Sequence, residues 1–348
     1  MSALWFALVS LMLAVYVVLD GFDFGAGIIH LFVAKTDEER QAVIGAIGPV
    51  WDGNEVWLLA GGGTLFFAFP KVYAAGFSGF YLPLVIALWL LILRGTSIEF
   101  RSHEKHWMWH SFWDGLFAFS SLMMAVILGA ALGNVIRGVP LTPSGYFQGP
   151  LFTNFMVGQH PGVLDWYTVL VGVFTVVALG LHGACYLNLK TEGALQARIQ
   201  QLIPKLWVVL IVVGIVVTYS TNVVRTDLYQ QLIARPWTWI LAAVVLISII
   251  SLYMNAKRDK EMATFLSSTG LLVGLLAATA AGLYPVLLAS TLNSASNLTA
   301  ANSSSSHAGL VTGVLWWSIA MVLAAIYFVF LFRSFKGKVH LGDSVYGH

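Results

Sequence analysis

The chain has 348 residues, of which 58% are hydrophobic and only 10% are charged, and its formal net charge is +2. So little charge over this length excludes a soluble globular protein and indicates a polytopic membrane protein. The small net charge favours neither nucleic acid nor an acidic partner. The single cysteine, Cys185, excludes a disulfide framework, a cysteine-rich zinc site and a thiolate-held iron–sulfur cluster.

Apolar runs of about 20 residues predict an all-α fold with about nine transmembrane helices. The first run follows Met1 without a basic segment or a small-residue cleavage site, so we expect a retained span rather than a signal peptide. In chain order the predicted spans are 3–33, 51–69, 73–93, 112–135, 166–187, 206–224, 237–254, 263–288 and 309–331.

The basic residues are divided unevenly between alternate connections of these spans. Of the 18 Lys and Arg residues, one side of the membrane has only Lys71, Arg137, Arg225 and Arg235. The positive-inside rule therefore predicts an amino terminus outside and a carboxyl terminus in the cytoplasm. The uncharged segment 290–308, rich in Ser and Asn, is expected to form an ordered cap on the outer side.

Four acidic residues lie within the first two predicted spans. Asp20 and Asp23 occur in DGFDFG, and Asp52 and Glu55 occur in WDGNEVW. An acid in the hydrocarbon region is costly and usually functional. Residues three apart share one face of a helix, so each pair should face one neighbour or one wet cavity. Two neighbouring carboxyls can also share a proton, so this pattern predicts a proton path.

Structural explanations for the same residues remain open. Asp52 could cap the second helix, and Asp20 could pair with an arginine for folding alone. Arg94 could be a counter-ion to the acids, a ligand for a cofactor propionate, or a basic residue that marks the inner interface. Trp57, beside the second acid pair, could line a cofactor site or could only pack against neighbouring side chains.

Only two histidines, His30 and His182, lie within predicted spans. A bis-histidine haem needs histidines that face each other at matched depth on separate helices, and this pair is a weak match. We therefore expect that the chain itself ligates no haem and no other metal.

Several segments together resemble subunit II of cytochrome bd-type quinol oxidases. They are DGFDFGAG, GPVWDGNEVWLLAGGGTLFFAFPKVYAAGFSGFYLPL, LRGTSIEFR and ASTLN followed by SNLTAANSSSS. The match is strong over residues 20–101 and recognisable to the end of the chain. A motif such as WDGNEVW joined to a glycine-rich apolar run is far more specific than a short enzyme motif.

The resemblance implies one integral membrane domain over residues 1–348, built as two helical bundles plus one helix, in a bacterial or archaeal plasma membrane. Its partner would be subunit I, which carries the quinol site, the haems b and the haem d where oxygen is reduced to water. Small single-span subunits and membrane lipid are compatible further partners, and nucleic acid is not expected.

By this resemblance, subunit II is catalytically inactive on its own. It shields the haems and supplies part of a cytoplasmic proton path. Asp20, Asp23 and Asp52 match the family acids, whereas at Glu55 the family varies between Glu and Gln. Arg94 and Trp57 are expected near the partner's haem.

Two alternative functions belong to other classes. The first is a proton-coupled secondary transporter, which would ordinarily show inverted repeats and acids at the bilayer midplane. The acids here are off-centre and no repeat is visible, which disfavours it. The second is a membrane scaffold without a catalytic partner.

Overall fold

The computed structural model describes residues 1–339, so the predicted cytoplasmic carboxyl terminus, within residues 340–348, lies outside the described part. This part forms twelve α-helices and one two-stranded sheet. The helices are α1 (Ser2–Val33), α2 (Asp37–Ile47), α3 (Trp51–Ala68), α4 (Pro70–Gly79), α5 (Tyr81–Phe100), α6 (Trp107–Arg137), α7 (Trp166–Lys190), α8 (Gly193–Val224), α9 (Thr226–Ile233), α10 (Thr238–Ala256), α11 (Glu261–Leu283) and α12 (His307–Ser334).

Eight of these helices are long and apolar enough to cross a membrane, which confirms a polytopic all-α protein. They are α1, α5, α6, α7, α8, α10, α11 and α12. The remaining predicted span, α3, has 18 residues but is less apolar, because its first turns carry Asp52, Asn54 and Glu55. By length and composition, the described residues therefore contain eight spans rather than nine. The helix α3 packs along α1.

Two predicted span boundaries were wrong, and proline explains both. The expected span 73–93 is interrupted at Phe80, between α4 and α5. Pro83 has no N–H to donate to the carbonyl of Gly79, so one continuous helix would lose that hydrogen bond. The expected span 263–288 ends at Leu283, because Pro285 follows and the chain continues as a strand.

The uncharged segment 290–308 contributes one strand to the two-stranded sheet. Strand β1 (Val286–Leu288) pairs antiparallel with β2 (Leu298–Thr299), and Val286 lies opposite Thr299. The segment is tied to the helices by the N–H of Ser305, which donates to the carbonyl of Ala68 at 2.9 Å. It therefore covers one end of the helical bundle.

Helix α1 lies at the centre of the molecule, against α3, α6, α7 and α11. Its contact with α7 is backbone to backbone, because a Cβ on Gly25 would lie 2.0 Å from the carbonyl oxygen of Leu179. Helices α8, α10 and α12 instead expose most of their apolar residues. Because α1 is covered by helices on several sides, polar residues on it are buried.

Candidate functional site

Five polar residues of α1, α3 and α5 form a buried group that we call the Arg94 cluster. The Arg94 guanidinium donates from Nη1 to Asp20 and from Nη2 to Oε2 of Glu55, the latter at 2.8 Å. Asn54 donates from Nδ2 to Oδ2 of Asp23 at 2.8 Å. The cluster therefore brings three carboxyl groups and one guanidinium together inside the helical bundle.

The Arg94 cluster is incompletely hydrogen-bonded. Oδ2 of Asp20, Oδ1 of Asp23 and Nε of Arg94 are buried and have no hydrogen-bond partner within residues 1–339. Asp20 and Asp23 are fully buried, whereas the side chain of Glu55 is 26% exposed. A buried polar atom without a partner is costly, so such atoms indicate internal water or a functional demand.

The structure unites Asp20, Asp23 and Glu55 but leaves Asp52 outside the cluster. Asp52 is exposed and does not join Glu55 at Arg94, so among the described residues the two acids do not share a neighbour. Residues three apart still differ by about 60° around a helix, and only one face of α3 packs on α1. Asp52 is also not the cap of α3, since the N-cap position is Val50 and no side chain caps it. It lies in the first turn, where the helix dipole favours an acid.

The contacts of Arg94 and Trp57 discriminate between the alternatives left open by the sequence. Arg94 is fully buried and both of its terminal nitrogens are taken by acids, which favours a counter-ion over an interfacial anchor. Its guanidinium also lies 4.2 Å from the ring centroid of Phe24. Trp57 packs against Phe328 with ring centroids 5.5 Å apart, and its buried indole N–H has no acceptor in the described chain.

Sequence reasoning missed a second ionic group, the Asp114 cluster, which consists of the buried His30, Arg101 and Asp114 together with the partly buried Arg40 and the exposed Asp37. The Asp114 carboxylate accepts hydrogen bonds from Arg101 Nε at 2.6 Å, Arg40 Nη1 at 3.2 Å and His30 Nε2 at 2.9 Å. Arg101 also donates to Asp37 at 2.6 Å. The available signal was an acid near the start of an apolar span, but its partners come from distant parts of the chain.

The two predicted span histidines do not form a pair that fits haem. His182 uses both ring nitrogens, with Ser268 Oγ at 2.8 Å and the carbonyl of Val18 at 2.9 Å, and its ring stacks on Phe265. His30 is hydrogen-bonded to Asp114. No group of three or more His, Cys, Asp or Glu residues in the described chain is arranged to hold a metal ion.

A multi-pass helical fold with incompletely paired acids inside the bundle defines an integral membrane protein with a buried titratable site. Comparison with known sequences gives the family. The family described as cytochrome bd terminal oxidase subunit II matches residues 1–335. The chain therefore belongs to that family and is a subunit of a cytochrome bd quinol oxidase, an oxidoreductase complex in which it works with subunit I.

Individual relatives agree with this assignment. The chain is 33% identical over 308 residues to the cytochrome bd ubiquinol oxidase subunit 2 of Bacillus subtilis (strain 168), covering 87% of this chain and 86% of the relative. It is 29% identical over 349 residues to the cytochrome bd-I ubiquinol oxidase subunit 2 of Escherichia coli (strain K12), covering 93% and 90%.

A solved structure shares the fold. It is a chain of the bd oxidase from Geobacillus thermodenitrificans, with a TM-score of 0.75, 17% sequence identity, and coverage of 96% of this chain and 98% of that one. Together with the family match, this similarity supports the oxidase subunit over the transporter alternative.

Proposed function

We propose that, within the oxidase, this subunit conducts protons through the Arg94 cluster towards the site in subunit I where oxygen is reduced. Reduction of one O₂ to two H₂O consumes four protons along with four electrons, so such a complex needs a proton supply. The observation that carries the proposal is that one buried guanidinium binds Asp20 and Glu55, while Asp23, held by Asn54, keeps one buried oxygen without a partner in residues 1–339.

The acids and the arginine on this path have different roles. The partly exposed Glu55 receives the proton, and the exposed Asp52, almost one turn earlier on α3, collects protons at the surface. Asp20 and Asp23 then pass the proton inward. Arg94 holds Asp20 and Glu55 on the same guanidinium, which keeps donor and acceptor close and offsets their charge.

The cofactors of the complex belong to subunit I in this proposal: the haems b, the haem d and the quinol site. In this proposal Trp57 lies near a haem of subunit I, and its indole N–H, which has no acceptor in residues 1–339, is available to a group of subunit I. Small single-span subunits and lipid complete the assembly.

The division of labour has a direct spectroscopic test. Expressed without subunit I, the chain is expected to bind no stoichiometric haem, because His182 has both nitrogens engaged and His30 is held by Asp114. The measurement is the optical spectrum of the purified subunit. A stoichiometric haem band would contradict the assignment, and haem should instead accompany the co-expressed pair.

The proton path is tested by Asp20→Asn and Asp23→Asn in the assembled oxidase. An amide keeps the shape of the side chain but cannot take up and release a proton, so quinol-driven oxygen consumption per haem should fall by about 10²-fold. The matched control is Asp165→Asn, a buried acid at the other end of the bundle, which should keep normal turnover per haem. Full turnover in both cluster variants would eliminate the proposed path.

A further inference from the structure

Asp23 differs from the other buried acids of the described chain because it has no arginine. Five acids are buried in residues 1–339, and four of them bind a guanidinium: Asp20 binds Arg94, Glu39 binds Arg198, Asp114 binds Arg101 and Arg40, and Asp165 binds Arg137. Among the described residues, Asp23 accepts one side-chain hydrogen bond, from the neutral amide of Asn54 at 2.8 Å, and forms no salt bridge. A negative charge on Asp23 would therefore have no direct counter-ion.

The charge balance of the Arg94 cluster leads to the same conclusion. Three carboxylates and one guanidinium would leave two negative charges uncompensated, and the guanidinium already binds Asp20 and Glu55. Glu55 is 26% exposed, so water can hydrate its charge, whereas Asp23 is fully buried. A buried carboxylate without a cation is so costly that the group keeps its proton instead. Asp23 is therefore the carboxyl of the cluster that is neutral.

The helices packed around α1 supply no second cation to Asp23 within residues 1–339. The further titratable group near Asp23 is Tyr186 of α7, whose hydroxyl donates to a backbone carbonyl at 3.0 Å. On α6, Asp114 is an acid that already has two arginines of its own. On α11, the one charged residue is Glu261 at the start of the helix, where it binds Lys338. Only a proton can neutralise Asp23 from inside the described chain.

Asn54 determines which oxygen of Asp23 carries that proton. Its Nδ2 donates to Asp23 Oδ2 at 2.8 Å and to the carbonyl of Leu19 at 3.3 Å. Both amide hydrogens are then in use, so Asn54 meets Asp23 as a donor. Because Oδ2 of Asp23 accepts this hydrogen bond, the proton belongs on Oδ1, which is buried and has no partner in residues 1–339.

Asp20 provides an acceptor for this proton. It lies three residues earlier on the same face of α1, where Cβ atoms are about 5–6 Å apart. Its Oδ1 binds Arg94, whereas its Oδ2 is buried and has no donor in the described chain. In the transfer, the O–H bond at Asp23 Oδ1 breaks and a new one forms at Asp20 Oδ2, directly or through one water molecule. The negative charge moves from Asp20 to Asp23, and the total charge of the cluster is unchanged.

We propose that Asp23 is the neutral, proton-carrying acid of the Arg94 cluster, and that Asn54 is a positioning residue that keeps this proton on Oδ1 for transfer to Asp20. The use of the proton in turnover rests on the proposed proton path. The protonated state of Asp23 does not, because it follows from burial and from the missing cation.

Infrared spectroscopy of the assembled oxidase tests the protonated state directly. A protonated carboxyl group has a C=O stretching band that a carboxylate lacks, and this band shifts when the acid proton is exchanged in D₂O. Asp23→Asn should lose one such band at neutral pH. The matched control is Asp165→Asn, which should lose none, because Asp165 is equally buried but binds Arg137.

Asn54→Leu tests the positioning role. Leucine has the same branched shape as asparagine but no N–H, so the C=O group of Asp23 loses its hydrogen bond. The carboxyl band should therefore remain and move to higher frequency. A role of Asn54 in packing alone would leave the frequency unchanged, and that result would overturn the positioning role.

An unchanged carboxyl band in Asp23→Asn would overturn the proposal, and so would loss of an equal band in Asp165→Asn. Oxygen consumption per haem separates this proposal from the proton path. Loss of the band with normal turnover in Asp23→Asn and Asp20→Asn would eliminate the path and support the protonated Asp23. Slow turnover with an unchanged band would do the reverse. If Asp23→Asn fails to assemble, Asn54→Leu decides, and an unshifted band then overturns the proposal.

Discussion

Two arginines are buried with acids in this subunit, at opposite ends of the bundle, and their surroundings differ. Arg137, at the end of α6, donates to Asp165, to Asn134 Oδ1 at 2.6 Å and to the carbonyls of Gly138 and Gly162. None of these side chains has a buried atom without a partner in the described residues. The Arg94 cluster instead contains several such atoms.

The carboxylates differ in the same way. Asp165 caps α7, where its Oδ1 accepts the N–H groups of Tyr167 and Thr168, both at 2.9 Å. Asp20 and Asp23 each have one oxygen with no donor within residues 1–339. A fully satisfied ion pair joins two helices, whereas an unsatisfied one has unused capacity for protons and water. The comparison therefore assigns stability to Arg137 and proton transfer to the Arg94 cluster.

Removal of Arg94 should have the largest effect. Arg94→Ala leaves Asp20 and Glu55 without a counter-ion inside the bundle, which costs about 3–5 kcal/mol. Haem content and oxygen consumption of the purified oxidase should both collapse. Arg333→Ala is the control, because Arg333 is exposed in the last turn of α12 and should change neither quantity. Equal behaviour of the two variants would show that Arg94 is only an interfacial anchor.

The Arg137 site should respond differently. Arg137→Gln removes the charge-assisted hydrogen bond to Asp165, which is worth about 1.5–3 kcal/mol. The thermal midpoint of the complex should therefore fall by several degrees, while turnover per intact haem stays normal. Turnover reduced as strongly as in Asp23→Asn would break the distinction between the two arginines.

Much of the Arg94 cluster could be predicted from the sequence because its signals are local. An acid in an apolar run indicates a buried functional group wherever the helix packs, and this holds for Asp20, Asp23 and Glu55. Asp52 satisfies the same rule but is exposed, because tertiary packing decides which face of α3 meets α1. The interruptions of the spans at Pro83 and Pro285 could also have been predicted from the sequence, because proline disrupts a helix.

The Asp114 cluster could not be assembled from sequence for a physical reason. His30 and Asp114 are 84 residues apart, and Arg101 reaches them from another helix end. Each residue alone fits an ordinary interfacial position, and only the packing of α1 against α6 joins them. Hydrogen-bond satisfaction, which separates Arg94 from Arg137, is likewise a property of the folded chain.

A smaller effect is expected at Asp52, on the exposed edge of the Arg94 path. Asp52→Asn should keep assembly and haem content, and its loss of turnover should be well below the about 10²-fold expected for Asp23→Asn, because water can replace an exposed acid. Asp52→Ala should lose only about 0.5 kcal/mol of dipole stabilisation. Oxygen consumption per haem and thermal midpoint are measured for both. A large loss of stability in Asp52→Ala alone would restore the capping explanation.

An effect on stability without an effect on turnover is expected at Glu39 of α2, whose carboxylate is fully hydrogen-bonded, like that of Asp165, but lies outside the spans. Burial alone would raise the pKa of Glu39, but the N–H groups of Lys35 and Thr36 and the guanidinium of Arg198 lower it below its ordinary value of 4.5. A depressed pKa stabilises the folded state at pH values above 4.5, and this contribution is lost as the pH falls through the folded-state pKa.

Glu39→Gln should therefore lower the thermal midpoint of the complex at pH 7, by an amount that corresponds to about 1 kcal/mol for a lost capping interaction. The difference from the unsubstituted protein should shrink as the pH falls from 4.5 through the folded-state pKa of Glu39, since only below that pKa is Glu39 neutral in the folded and the unfolded state alike. Glu38→Gln, an exposed neighbour on α2, is the control and should match the unsubstituted protein at both pH values. A difference that is the same at pH 7 and below pH 4.5 would show that the amide disturbs packing and that the charge of Glu39 contributes nothing.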